Sequence, residues 1–182
     1  MSTTLHVLRV FTDDAGEYGN ALGVFVEGRA IAESDRQQVA RDLAFIETVF
    51  VDDARTGRIR IYTPGDELRF AGHPTVGTAR LLAELGLPVD ELRVPAGPVP
   101  TWTDGARRWV QARPEWVHPM TLAELEGPDA VEALTTVPPD ERSWYPWAWQ
   151  DRALGEIRSR YFPRWSASPR TCLLYTSDAA DE

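Results

Sequence analysis

The chain begins with alternating apolar and polar positions from Leu5 to Thr12, and this two-residue period predicts a strand. Gly16 to Asn20 is rich in turn formers and predicts a loop, and Ala21 to Val26 predicts a second strand. At Ser34 the period changes. Ser34 is a good helix N-cap with Gln37 three residues on as a capping-box partner, and Val39, Ala40, Leu43 and Ala44 supply an apolar helical face. Short strands follow over Thr48 to Val51 and Arg58 to Thr63. Pro64-Gly65-Asp66 turns the chain, and Glu67 to Phe70 predicts a further short strand.

The next helix has a different character. Pro74 suits a first helical position and Gly86 a C-terminal stop, which predicts a helix over 74–85. Its body carries only two charges, Arg80 and Glu84, four residues apart. A helix apolar around most of its girth is buried. Gly77, Thr78 and Ala79 are small enough to let neighbouring backbone come close. Strands ahead of such a helix predict an α+β domain whose sheet wraps a central helix. Strands resume at Glu91 to Val94, Val99 to Thr103 and Trp109 to Ala112. Residues 113–143 are proline-rich and read as a linker with short helical pieces. Trp144 to Trp149 and Ile157 to Phe162 predict two more strands.

Composition adds bounds. At 182 residues and 43% hydrophobic, with seven Trp, the chain has material for a real core. No apolar run approaches the roughly 20 residues that span a bilayer. The start lacks the basic and apolar segments of a signal peptide, so a cytoplasmic protein is expected. A net charge of -9 argues against nucleic acid and anionic membranes as partners, and leaves room for a small anionic substrate. With Cys172 as the only cysteine, no disulfide forms within the chain, and no metal site is expected. The last eleven residues, CLLYTSDAADE from Cys172 to Glu182, are similar to the translation of a sequencing-library transposon adapter. They are expected to be foreign to the gene and to pack on nothing, and fold reasoning excludes them.

Two segments carry candidate chemistry. Glu47 stands among Phe45, Ile46, Val49 and Phe50, where desolvation would raise its pKa and suit it to acid–base work near neutrality. Composition alone favours the plainer alternative, a junction at which Glu47 points to water. Gly72-His73-Pro74 opens the buried helix, whose first-turn amides and dipole attract anions. Gly72 permits close approach of a ligand and His73 adds a titratable donor. A satisfied core histidine beside a cap is the equal alternative. Gly19-Asn20 reads first as a turn. Trp144, Trp147, Trp149 and Trp165 read as core or pocket wall. His6 and His118 stand alone.

Gly19-Asn20-Ala21, Glu47-Thr48-Val49-Phe50-Val51 and the block from Arg58 to Ala79 together resemble the PhzF-like family, of the diaminopimelate-epimerase superfamily. IRSRYFPRW, from Ile157 to Trp165, is similar to the segment preceding that family's second-domain motif. The resemblance implies two similar domains, each a rolled antiparallel sheet around a central helix, with the site between them. It gives residues 1–112 as the first domain and 113–171 as part of a second, ahead of the adapter-like tail at 172–182. It implies a cofactor-independent isomerase that shifts a proton on a small carboxylate, as on dihydro-hydroxyanthranilate. Glu47 is the implied acid/base, His73 assists, and Asn20 and Gly72 contact substrate. The epimerase relatives use two cysteines where this chain has Glu47. Ala21 replaces the family's usual proline, and the family's Asp-x-x-Thr-Gly motif is absent after Trp165. Little activity is therefore expected of the chain itself, and a homodimer is allowed for the full-length protein. The competing reading is a non-catalytic small-molecule binding or association module on the same fold. Light scattering should show a chain cut near residue 112 to be more soluble than all 182 residues. Equal monodispersity of the two would contradict the incomplete second domain.

Overall fold

A computed structural model describes residues 3–12, 18–116, 119–136 and 143–162. The alternating first segment forms β1 (Leu5–Thr12), antiparallel to β2 (Tyr18–Phe25), with Leu5 opposite Phe25 and Val10 opposite Asn20. Gly19 and Asn20 thus belong to a strand and not to the expected loop. Gly19 sits at φ +66, a left-handed conformation that glycine adopts without a Cβ penalty, so the turn former serves inside the ladder. Helix α1 (Glu33–Leu43) then crosses over to β3 (Glu47–Asp53), which pairs parallel with β2. β4 (Arg58–Tyr62) returns antiparallel to β3, and β5 (Glu67–Leu68) pairs with β4. Helix α2 (Gly72–Glu84) crosses to β6 (Glu91–Val94), parallel to β4. β7 (Gly97–Asp104) and β8 (Arg107–Val110) continue as antiparallel hairpins.

The strand order is β1-β2-β3-β4-β6-β7-β8, with β5 beside β4. The sheet is therefore mixed, where the family resemblance implied an antiparallel one. A helical crossover between neighbouring strands makes them parallel, and this unit has two such crossovers. α2 packs on β1, β2, β3 and β8, so the sheet curls about it into a half-barrel. Leu22, Val24, Val49, Val51, Ile59 and Ile61 point inward and meet Ala79, Leu81 and Leu82. Burial of each such side chain contributes about 1.5–3 kcal/mol relative to exposure. At Gly77 the approach is tightest, because a Cβ there would lie 2.7 Å from Leu22 Cδ2 and 2.7 Å from Val10 Cγ2. α2 ends as predicted: Gly86 takes φ +75 and the Leu87 amide donates to Leu82 O at 2.8 Å.

α1 covers the sheet's outer face over Phe25, Phe50 and Tyr62, with Ala40 buried among them. Phe25 stacks on Phe50, and Tyr62 meets Phe50 edge-on, each at 5.3 Å between centroids. The predicted capping box does not form. The helix starts two residues earlier, with Ala32 at the N-cap, and Ser34 Oγ donates to Asp35 Oδ1. Gln37 Nε2 instead donates to Thr63 O at 2.9 Å and Pro64 O at 3.2 Å, tying α1 to the turn after β4. Ala44 is left-handed and exposed, so it terminates the apolar face without joining it. The largest fully buried side chain of the unit is charged: Arg36. It pairs with Asp52 at 2.8 Å and donates to Gly28 O at 3.1 Å and Ile31 O at 3.3 Å.

The chain divides into two compact units, residues 1–117 and 118–182. The first runs past the last hairpin because the Trp116 ring packs against Phe70, 5.7 Å between centroids, and against Gly97. In the second, β9 (Thr121–Glu124) pairs parallel with β10 (Trp144–Asp151), and β11 (Glu156–Ser159) pairs antiparallel with β10. α3 (Pro128–Glu132) packs on β10 and β11. The segment read as a linker thus contains a strand, β9. Its TLAE sequence lacks the β-branched alternation that announces a strand and is set by pairing to Trp144–Trp147. Trp144 and Phe162 are buried together, and Trp147 and Trp149 are half-buried, edge to face. Among the described residues of this unit, the exposed large apolar side chains are Leu122 and Leu154. Trp165 and the segment Cys172 to Glu182 lie outside the described residues.

Removing the Arg36 cation while keeping the Asp52 carboxylate leaves a buried charge without its partner. Arg36→Ala should cost about 3–5 kcal/mol. The double change Arg36→Met with Asp52→Leu should recover most of that loss. Urea unfolding midpoints check both, and equal losses in the two variants would show that the ion pair is not the cause.

Candidate active site

Three elements build the site. β3 begins at Glu47, whose Cα lies opposite Leu22 of β2. Leu22 faces α2, so Glu47, at the same register, faces it too. α2 starts at Gly72, two residues before the predicted start, which puts His73 in its first turn and Pro74 at the third position. Pro74 fits there because the first-turn amides have no intrahelical partner to lose. The Ala71 N-cap has no side chain to satisfy those amides. The first turn is therefore a donor-rich, electropositive end.

His73 Nε2 lies 3.3 Å from Glu47 Oε2, and the two side chains are only 2% and 9% exposed. They touch without being aligned for a hydrogen bond, so neither atom has a hydrogen-bond partner. Leaving a buried polar group unpaired costs about 1–3 kcal/mol. Burial pushes the Glu47 carboxyl up to about 8 and the His73 imidazole down to about 4. Both effects have one cause: a low-dielectric surrounding disfavours whichever form is charged. At neutral pH the pair is thus a carboxylic acid beside a neutral imidazole.

Asn20 lies two residues along β2 from Leu22 and on the same face, with a half-buried side chain that makes no hydrogen bond among the described residues. A Cβ built on Gly72 would meet nothing within 4 Å, so open space stands beside the start of α2. The structure therefore joins Glu47 to His73 directly, places Gly72 at the helix end beside them, and sets Asn20 on the shared face. Sequence reasoning missed the Arg36–Asp52 pair behind β3. Its signal was present, because positions 36, 39, 40 and 43 form one helical stripe and Arg36 is its charged member. Among the described residues no group of three or more His, Cys, Asp or Glu gathers to hold a metal, and no helix is long and apolar enough to cross a membrane.

A half-barrel curled about a central helix is the diaminopimelate-epimerase-like fold. Similarity to known proteins narrows this. The family described as phenazine biosynthesis-like protein matches residues 8–135, and the chain belongs to it. An uncharacterised isomerase of Pasteurella multocida is 39% identical over 88 residues, covering 46% of this chain and 30% of that protein. The trans-2,3-dihydro-3-hydroxyanthranilate isomerase of Pseudomonas fluorescens is 34% identical over 109 residues, covering 47% of this chain and 39% of that protein. The matches thus span well under half the length of these relatives. A PhzF-family crystal structure from Bacillus anthracis shares the fold at TM-score 0.67 and 20% identity, covering 97% of this chain and 77% of that one.

The two displaced titrations leave a mark on stability. Glu47 binds its proton more tightly folded than unfolded, so its contribution is full below pH 4.5 and lost as pH rises through about 8. His73 is the reverse: its contribution is full above pH 6.5 and lost as pH falls through about 4. The slopes oppose each other between 4.5 and 6.5, and Glu47 acts alone from 6.5 to 8. Stability should fall by about 2 kcal/mol across that upper window. Glu47→Gln should be flat there, as read by urea midpoints at fixed ionic strength, and an unchanged slope would place the titration elsewhere.

Proposed function

We propose that the protein is a cofactor-independent isomerase that shifts a proton on a small carboxylate substrate, with Glu47 as acid and base. The observation that carries this reading is the buried Glu47–His73 contact at 3.3 Å, in which neither atom makes a hydrogen bond. Membership of a family whose named relatives include isomerases gives the reaction class its support. An unsatisfied buried polar group calls for an explanation, and a catalytic role supplies one for this pair.

In this reading the substrate carboxylate docks on the Gly72 end of α2, where free amides and the helix dipole meet it, and Asn20 adds a hydrogen bond. An anion beside His73 raises the affinity of the imidazole for a proton. The Glu47 proton then passes from Oε2 to Nε2 of His73, which leaves Glu47 a carboxylate. Glu47 takes a proton from one substrate carbon and returns it to another. His73 gives its proton back when product leaves, so the cycle consumes none. The part of the site supplied by other segments of the longer relatives completes the pocket, and the activity is that of the full-length gene product.

Deuterium incorporation from D2O into a cyclic dihydro-hydroxy carboxylate, followed by NMR, tests the reading on that full-length product. Glu47→Gln should slow exchange by at least about 10²-fold. Gly72→Ala should fold normally, since the added methyl meets nothing, and should chiefly raise KM. Retained exchange in Glu47→Gln would sink the assignment, and binding without exchange in the unaltered protein would leave a binding module.

A further inference from the structure

All 19 cationic side chains of this chain are arginine; there is no lysine. Four of them line one groove. Arg58, Arg60, Arg69 and Arg93, with Glu67, surround a groove of about 410 Å³ over β4, β5 and β6. It lies on the outer face of the sheet. Ile59 and Ile61 point inward to α2, so the alternating positions 58 and 60 point outward, away from Glu47 and His73.

The four guanidinium groups differ in how they are held. Arg60 is clamped by Glu67 through both oxygens, Nη2 to Oε2 at 2.8 Å, and lies 3.8 Å from Glu33. Arg93 donates to Glu91 at 3.1 Å, between two exposed side chains. The side chains of Arg58 and Arg69 make no hydrogen bond or ion pair with any described residue. Arg58 and Arg93 are also direct register partners across the parallel β4–β6 pair. Like charges set side by side on one face of a sheet destabilise it. Pairing does not explain this placement in a chain of net charge -9, where carboxylates are abundant.

We propose that this groove is a binding site for a small oxyanion carrying two or more negative charges, such as a phosphate ester or a polycarboxylate. The guanidinium fork matches both oxyanion types in bidentate fashion. Arg58 and Arg69 supply free forks, Arg93 exchanges its exposed glutamate for the ligand, and the clamped Arg60 fixes the wall. Glu67 is neutralised by Arg60 and does not oppose the anion. Occupancy removes the repulsion between Arg58 and Arg93.

Calorimetric titration of the 182-residue chain with pyrophosphate, citrate and inorganic phosphate, at constant ionic strength, tests the site. Saturable binding at one site is expected, with the preference between pyrophosphate and citrate deciding phosphate against carboxylate ligands. The double change Arg58→Gln with Arg69→Gln should weaken it by at least about tenfold, while Arg107→Gln on β8 should leave it unaltered. If the double variant loses its near-ultraviolet circular dichroism, Arg69→Gln alone, outside the strands, is read in its place. Failure of all three anions to saturate below about 10 mM, or binding unchanged in the arginine variants, overturns the proposal.

Discussion

A helix that is apolar on nearly every side cannot rest on a flat sheet; it needs walls around it. α2 imposes that requirement, and the sheet meets it by curling until β1 and β8 both touch the helix. The fit depends on small residues, Gly77 above all, which lets Leu22 and Val10 close in. Enclosure also decides where the chemistry sits. The start of α2 comes to lie under the first residue of β3, so a carboxyl and an imidazole meet where water is scarce. Their displaced protonation follows from the same burial that forms the core.

The outer face obeys a different logic. α1 covers an aromatic patch of Phe25, Phe50 and Tyr62 but leaves the other end of β4 bare. Under the helix the buried Arg36 cation is matched by Asp52 and by two carbonyls. Beyond the helix the arginines stand partly unmatched in the open. One strand, β4, thus contributes apolar side chains to the inner core and a polar, charged surface on its back, through nothing more than the period of two.

Most of the architecture was legible. Strands with strong alternation or β-branched content, such as β1, β3 and β4, and a helix marked by Gly86, announced themselves. What escaped depended on distant partners. Ser34 and Gln37 have the spacing of a capping box, yet Gln37 is drawn to the carbonyls of Thr63 and Pro64, a partner no local window contains. Gly19 and Asn20 look like a turn because turn formers and strand-distorting residues are the same residues. β9 has no pattern of its own and exists because β10 lies beside it. For the site, Glu47 was ambiguous by composition, since apolar neighbours in sequence do not say which way a side chain points. Only register with Leu22 directs it inward.

The neutrality of the resting Glu47–His73 pair has an electrical consequence. The molecule as a whole repels anions, yet the interior where these groups meet holds no formal charge at neutral pH, and the helix end beside it is positive. An anion that reaches this interior therefore encounters no opposing carboxylate there. Above about pH 8 that changes, because Glu47 ionises and sets a negative charge against the incoming one. The interior thus has an alkaline limit as a place for anions, set by a single buried carboxyl.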